Sequence, residues 1–212
     1  MLKTRSERLH QARVFPQGAL TRGLKGEVLT EMGQLTDAGC VAFGQAEAPI
    51  VNTQVMQRAL LYASSFGYAV WLRPIDPWLG GGVAASGPLA TRMGLAGVPA
   101  ASETIALHTV FELLRAMQGG ASGGGPRVHL CRLSSAAGVA LLRQAKVDGL
   151  KVTADVSVNS LHLIDQDIGY FDSKARLNPP LHQQRDRAAL RARLADCTFD
   201  APVSDHTPAE AD

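Results

Sequence analysis

A carboxylate beside an imidazole stands near the end of the sequence, in the run Phe199-Asp200-Ala201-Pro202-Val203-Ser204-Asp205-His206-Thr207-Pro208. The run reads as a short strand that delivers an Asp-His pair to a loop. In a parallel barrel, catalytic groups sit where strands end. The last carboxylate of a metal-dependent hydrolase would occupy such a position, and Asp205 is that kind of residue. A catalytic zinc takes at least three protein ligands, so Asp205 needs company. His129, Asp155 and His162 could in principle provide it, but their spacing matches no local ligand motif. His10 falls in a basic, solvated start and His182 in a loop. His108 lies among apolar helix residues and reads as partly buried packing. Cys40, Cys131 and Cys197 are far apart and odd in number, with no zinc-knuckle spacing. They read as reduced thiols of a cytoplasmic protein.

The elements that must position Asp205 follow from periodicity. Ala12 to Pro16 is a short apolar alternation and a predicted strand. Leu24, Val28, Leu29, Met32 and Leu35 recur at helical spacing. Cys40 to Gly44 predicts a strand. Asn52 can cap a helix through Val55, Met56, Ala59, Leu60 and Ala63 that ends at Gly67. Tyr68 to Leu72 is a nearly continuous apolar run, as in a strand buried on both faces. Pro74 to Ala100 reads as a long loop. Its Gly80-Gly81-Gly82 lacks the Gly-x-Gly-x-x-Gly and Lys-Ser/Thr signatures of a phosphate cradle. Ser102 and Glu103 open a helix through Leu107, Val110, Phe111, Leu113 and Leu114, and Gly119 to Gly125 is a flexible connector. Val128 to Leu133 is a strand. Ser134 or Ser135 caps a helix that ends at Gly149, and Val152 to Val158 is another strand. Residues 164–185 read as mostly irregular, and Asp186 as the cap of a helix through Leu190, Leu194 and Cys197.

Strands alternating with helices mean βα units and a parallel sheet. Six units are predicted, near residues 13, 41, 70, 130, 154 and 203. Six do not close an eight-stranded barrel.

Composition excludes several classes. The 212 residues, 46% apolar and 19% charged, make an ordinary globular balance with a formal charge of +2. That gives no electrostatic case for nucleic acid. No apolar run approaches the roughly 18 residues of a membrane span, and the first residues contain no apolar stretch of the secretory kind.

Several of these stretches resemble the dihydroorotases of the amidohydrolase superfamily. They are Phe15-Pro16-Gln17-Gly18-Ala19-Leu20-Thr21, Gly87-Pro88 through Pro99, Ser134-Ser135-Ala136-Ala137-Gly138, Asn178-Pro179-Pro180-Leu181 and Ser204-Asp205-His206-Thr207-Pro208. The similarity runs in collinear order across nearly the whole chain. The resemblance implies an α/β fold: a partial TIM (β/α)8 barrel over residues 1–206, its six units corresponding to strands 3–8, with 207–212 a polar tail. It implies zinc at the strand C-termini and hydrolysis and closure of the dihydroorotate ring in pyrimidine synthesis. It places the family's catalytic Asp on Asp205 and a substrate-contacting Asn on Asn178. The chain is expected to start after the family's second strand, which leaves a His-x-His metal pair outside it.

The remaining metal positions depart from the family. The bridging Asp falls at Gln45 and Ala46, with Glu47 shifted beside them. The metal histidines fall on Arg73 and Arg132, and a further substrate-contacting His on Ala209. A guanidinium is permanently cationic and cannot ligate a cation. The expectation is therefore a vestigial Asp205, no bound metal, and no catalysis. The resemblance then implies a structural role beside aspartate carbamoyltransferase, with which inactive dihydroorotase-like chains assemble in some bacteria. Self-association through open sheet edges is also expected, and no membrane or nucleic-acid partner. The alternative is an active zinc-dependent cyclic amidohydrolase with a rearranged or shared site. Arg73 and Arg132 end neighbouring strands in the inferred topology. One or both are expected to reach Asp205 in place of the lost metal charge, with Trp71 filling space below.

Overall fold

Asn52 does what its position predicts. Its side chain accepts the N–H groups of Gln54 at 2.9 Å and Val55 at 3.3 Å, and the helix behind it buries Val55, Ala59, Leu60 and Ala63. That is one stripe at helical spacing, laid against a strand that follows immediately. This βα rhythm runs through the computed structural model, which describes residues 2–118 and 125–206. In order the elements are α1 (Leu2–Leu9), β1 (Gln17–Ala19), α2 (Met32–Asp37), β2 (Ala42–Gly44), α3 (Thr53–Ser65) and β3 (Ala69–Leu72). Then come β4 (Ala84–Ala85), α4 (Pro88–Met93), β5 (Gly97–Val98), α5 (Ala101–Met117), β6 (Arg127–Leu130) and α6 (Ala136–Val147). The chain finishes with β7 (Val152–Ser157), α7 (Val158–His162), α8 (Gln184–Ala195) and β8 (Ala201–Val203).

Two compact units are distinguished. The first comprises Met1–Arg73 with Thr109–His129. Here β1 pairs parallel with β2 from Gln17 opposite Ala42, β2 pairs parallel with β3, and β6 neighbours β3. All three residues of β2 are buried. The second unit comprises Pro74–His108 with Leu130–Asp212. Its β7 pairs parallel with β8, Asp155 standing opposite Ala201 and Ser157 opposite Val203. Ala84, Ala90, Ile168 and Leu181 form a small core there.

Several expectations need correction. The ladder begins at Gln17, not within 12–16, where Val14 and Phe15 are exposed. Residues 24–31 hold no α-helix: Leu24 ends a 3-10 turn, Arg22–Leu24, and 25–31 are not helical. Gly26 adopts a left-handed backbone (φ 72°), Thr21 bridges to Leu29, and the Thr21 hydroxyl accepts the Gly26 N–H at 2.9 Å. A helix forms only from Met32 onward. Residues 74–100 contain a parallel pair, β4 with β5, and the short α4. Gly82 serves close packing there, since a Cβ would stand 2.6 Å from the Ala96 carbonyl oxygen. The helix expected to be capped by Asp186 starts at Gln184, and Asp186 lies inside its first turn. Trp71 is 36% exposed rather than buried, its ring 4.6 Å from that of His129. His108 is exposed, and His182 is half-buried. None of the three cysteines is in a disulfide. The connector over 119–124 and the tail 207–212, with Ala209, lie outside the described residues. Among the described residues, no helix is long and apolar enough to cross a membrane.

Candidate functional site

The sequence-predicted site residues gather in two groups, one in each unit. In the first unit, Gln45 follows directly on β2 and is 4% exposed. Its amide donates to the Thr21 hydroxyl oxygen at 2.7 Å, and that hydroxyl stands 3.1 Å from the amide oxygen. Thr21 is fully buried. The amide is thus committed to an internal polar pair that ties the end of β2 to the end of β1. Ala46 is exposed with a left-handed backbone (φ 49°), and it turns the chain toward Glu47. Glu47 forms an ion pair with Arg73, the residue after β3. The Arg73 side chain is only 6% exposed, that of Glu47 54%. Arg73 therefore takes a carboxylate from its own unit.

In the second unit, Arg132 lies two residues beyond β6, and Asp205 two residues beyond β8. Both have left-handed backbones, φ 56° and 52°. Such conformations are sparsely populated outside glycine and cost about 1–3 kcal/mol. They turn each side chain out of its strand direction. The Arg132 Nη1 donates to Asp205 Oδ1 at 2.8 Å and to the Asn178 carbonyl oxygen at 3.2 Å. The side chains are 17% and 22% exposed. That places the pair between surface pairs, worth about 0–1 kcal/mol, and fully desolvated ones. The structure thus brings Asn178, Arg132 and Asp205 together, with Asn178 contributing its backbone carbonyl to Arg132.

The loop that carries Arg132 contains residues whose part the sequence reading missed. The Asp155 carboxylate, on β7 and 4% exposed, accepts the Arg132 N–H at 2.6 Å. The Glu103 carboxylate accepts four bonds. Oε2 takes the N–H and hydroxyl of Ser134 at 2.7 and 2.8 Å, and Oε1 those of Ser135 at 3.1 and 2.6 Å. Asp186 accepts the Ala136 N–H at 2.9 Å. Of Ser134 and Ser135, the latter caps α6, its hydroxyl oxygen accepting the Gly138 N–H. The motif Ser134-Ser135-Ala136-Ala137-Gly138 was visible as a motif; its carboxylate partners were not. His162 sits exposed at the end of α7.

Zinc is held by thiolate, imidazole or carboxylate. Positions 45, 73 and 132 offer a hydrogen-bonded amide and two guanidinium groups, and the Asp205 carboxylate already accepts one of those guanidinium groups. These residues do not fit a divalent cation at the positions where the resemblance implies one.

No protein-family model matches the chain. Among curated proteins, a dihydroorotase of Pelotomaculum thermopropionicum is 40% identical over 196 residues, covering 92% of this chain and 44% of that protein. A dihydroorotase-like protein of Pseudomonas aeruginosa is 39% identical over 213 residues, covering 100% of this chain and 49% of that protein. The chain spans about half the length of the curated relatives it matches. Among solved structures, the L-hydantoinase (dihydropyrimidinase) from Arthrobacter aurescens aligns with 96% of this chain and 46% of its own, at TM-score 0.73 and 18% identity. A dihydroorotase from Saccharomyces cerevisiae in complex with 5-fluoroorotic acid aligns with 92% of this chain and 52% of its own, at TM-score 0.65 and 12% identity. At these identities the likeness is one of fold: part of an α/β barrel.

Proposed function

Because this chain belongs to the dihydroorotase family over the half of its members' length that it spans, we propose that it is a dihydroorotase-like protein whose work is structural rather than hydrolytic. One observation carries the reading. At the end of β6, a guanidinium donates to the carboxylate that the family resemblance marks as catalytic. Metal-assisted hydrolysis needs a Lewis acid with an open position that makes bound water acidic. A guanidinium supplies positive charge but has no acceptor orbital for water, and it is not deprotonated near neutral pH. Arg132 therefore sets a permanent cation against Asp205 without supplying a Lewis acid for water.

The partner we propose is aspartate carbamoyltransferase. Support comes from the sheet order: among the described residues β1 and β8 are terminal strands, β1 paired with β2 and β8 with β7. Strands paired on one side present N–H and C=O groups to another chain.

The test has two arms. Purified chain, with and without added zinc, is assayed for dihydroorotate hydrolysis and ring closure across pH, and its metal content is measured. No turnover and substoichiometric zinc are expected. Zinc-dependent turnover abolished by Asp205→Ala would overturn the reading. In the second arm, the chain is sedimented alone and with aspartate carbamoyltransferase. Co-sedimentation is expected, and its absence would remove the proposed partner.

A further inference from the structure

The peptide N–H groups just after β6 are held by an unusual set of acceptors. That of Arg132 goes to the Asp155 carboxylate, and that of Leu133 to the Asp155 carbonyl at 3.2 Å. Those of Ser134 and Ser135 go to Glu103, that of Ala136 to Asp186, and that of Gly138 to the Ser135 hydroxyl. The three carboxylates belong to β7, α5 and α8, and they are 4%, 8% and 6% exposed. A buried carboxylate is tolerated only when its lone pairs are bonded. Here the donors are chiefly backbone N–H groups at the start of α6, where the aligned peptide dipoles also favour negative charge.

We propose that this set of carboxylates is a clamp that presents Arg132 to Asp205, and that Glu103 is a positioning residue for that ion pair. An arginine side chain loses considerable rotamer freedom when it is fixed. Its root must be placed accurately if one Nη is to reach both Asp205 and the Asn178 carbonyl. Arg132 achieves this from a left-handed backbone that its own strand does not dictate. The residues on its C-terminal side are immobilised by Glu103 through four bonds. Glutamine at 103 would keep one acceptor oxygen and set an NH2 group against the donors of one serine. The turn would then relax, and the root of Arg132 with it. The clamp is built from residues of the second unit and holds whether or not the chain turns over dihydroorotate.

The experiment is a double-mutant cycle between Arg132→Met and Asp205→Asn, read by urea unfolding in three backgrounds. In the wild type, the coupling between the two positions should change the unfolding equilibrium by about tenfold. In Glu103→Gln it should fall below about threefold. In Lys146→Ala, which removes the 2.8 Å Lys146–Asp200 pair of the same unit, it should stay at the wild-type value. A spectroscopic readout accompanies the cycle. The Arg132 guanidinium N–H resonance should be resolved in the wild type and in Lys146→Ala, and exchange-broadened in Glu103→Gln. Should Glu103→Gln fail to fold, Ser134→Ala replaces it, since it deletes the hydroxyl contact to Glu103 and keeps the backbone bond; the coupling should then fall by about half. Coupling and resonance unchanged in the folded clamp variant would overturn the proposal, even if that variant is less stable. Turnover by the wild type would overturn the functional reading and leave this result standing.

Discussion

Gly138→Ala sets two effects of opposite sign against each other. Gly138 lies in the first turn of α6, and alanine there should favour the helix by about 1 kcal/mol. In the structure, however, a Cβ at 138 would overlap Glu103 Oε1, stand 2.8 Å from Glu103 Cδ and 3.1 Å from the Ser135 hydroxyl. Oε1 cannot retreat without releasing the Ser135 N–H and hydroxyl, at 3.1 and 2.6 Å. Hydrogen bonds to a charged group are worth about 1.5–3 kcal/mol each. Two of them come to about 3–6 kcal/mol, and subtracting the propensity gain leaves a net loss of about 2–5 kcal/mol. Urea unfolding followed by circular dichroism reads this as a lower midpoint at unchanged slope. The same substitution made in Glu103→Ala should change sign, stabilising by up to about 1 kcal/mol, because the obstacle is gone. A Gly138→Ala chain as stable as the wild type, or one that loses stability equally in both backgrounds, would refute the packing argument.

Two further outcomes are expected. Arg73→His combined with Arg132→His should leave zinc well below one ion per chain by atomic absorption, because Gln45 remains tied to Thr21 and supplies no carboxylate; stoichiometric zinc would show that the two arginines alone exclude the ion. Thr21→Val should cost about 2–3 kcal/mol by urea unfolding, because it strands the buried Gln45 amide and the Gly26 N–H, both of which use the Thr21 hydroxyl; a loss under about 0.5 kcal/mol would mean the amide finds another partner.

What the sequence made legible is what depends on neighbours along the chain. The strand-helix alternation, the Asn52 cap and the apolar stripe of α3 all lie within a few residues of their cause, and they stand where periodicity puts them. The helix expected over 24–35 forms only from Met32, for a reason of the same local kind. Its apolar spacing is real, but the Thr21 hydroxyl captures the Gly26 N–H and a left-handed glycine breaks the turn. The first strand was placed too early because Val14 and Phe15 imitate alternation while standing exposed.

The site divides along a different line. That Asp205 would hold a guanidinium follows from the cost of burying a carboxylate unpaired, and Arg132 does provide one. Which arginine it would be does not follow from that cost, because it depends on competing carboxylates nearby. Glu47 stood in the sequence as a displaced metal ligand; in the structure it is the partner of Arg73. The same blindness hid Glu103 and Asp186. Both were read by their place in a helix start, where acidic residues satisfy local N–H groups. Both instead satisfy the start of another helix, α6. A helix N-terminus states that an acceptor is needed but not which segment sends it. The two serines and the glycine of 134–138 were the part of the answer written locally. Residues that small leave room for a carboxylate to approach the backbone, and Gly138 leaves the space that Oε1 occupies.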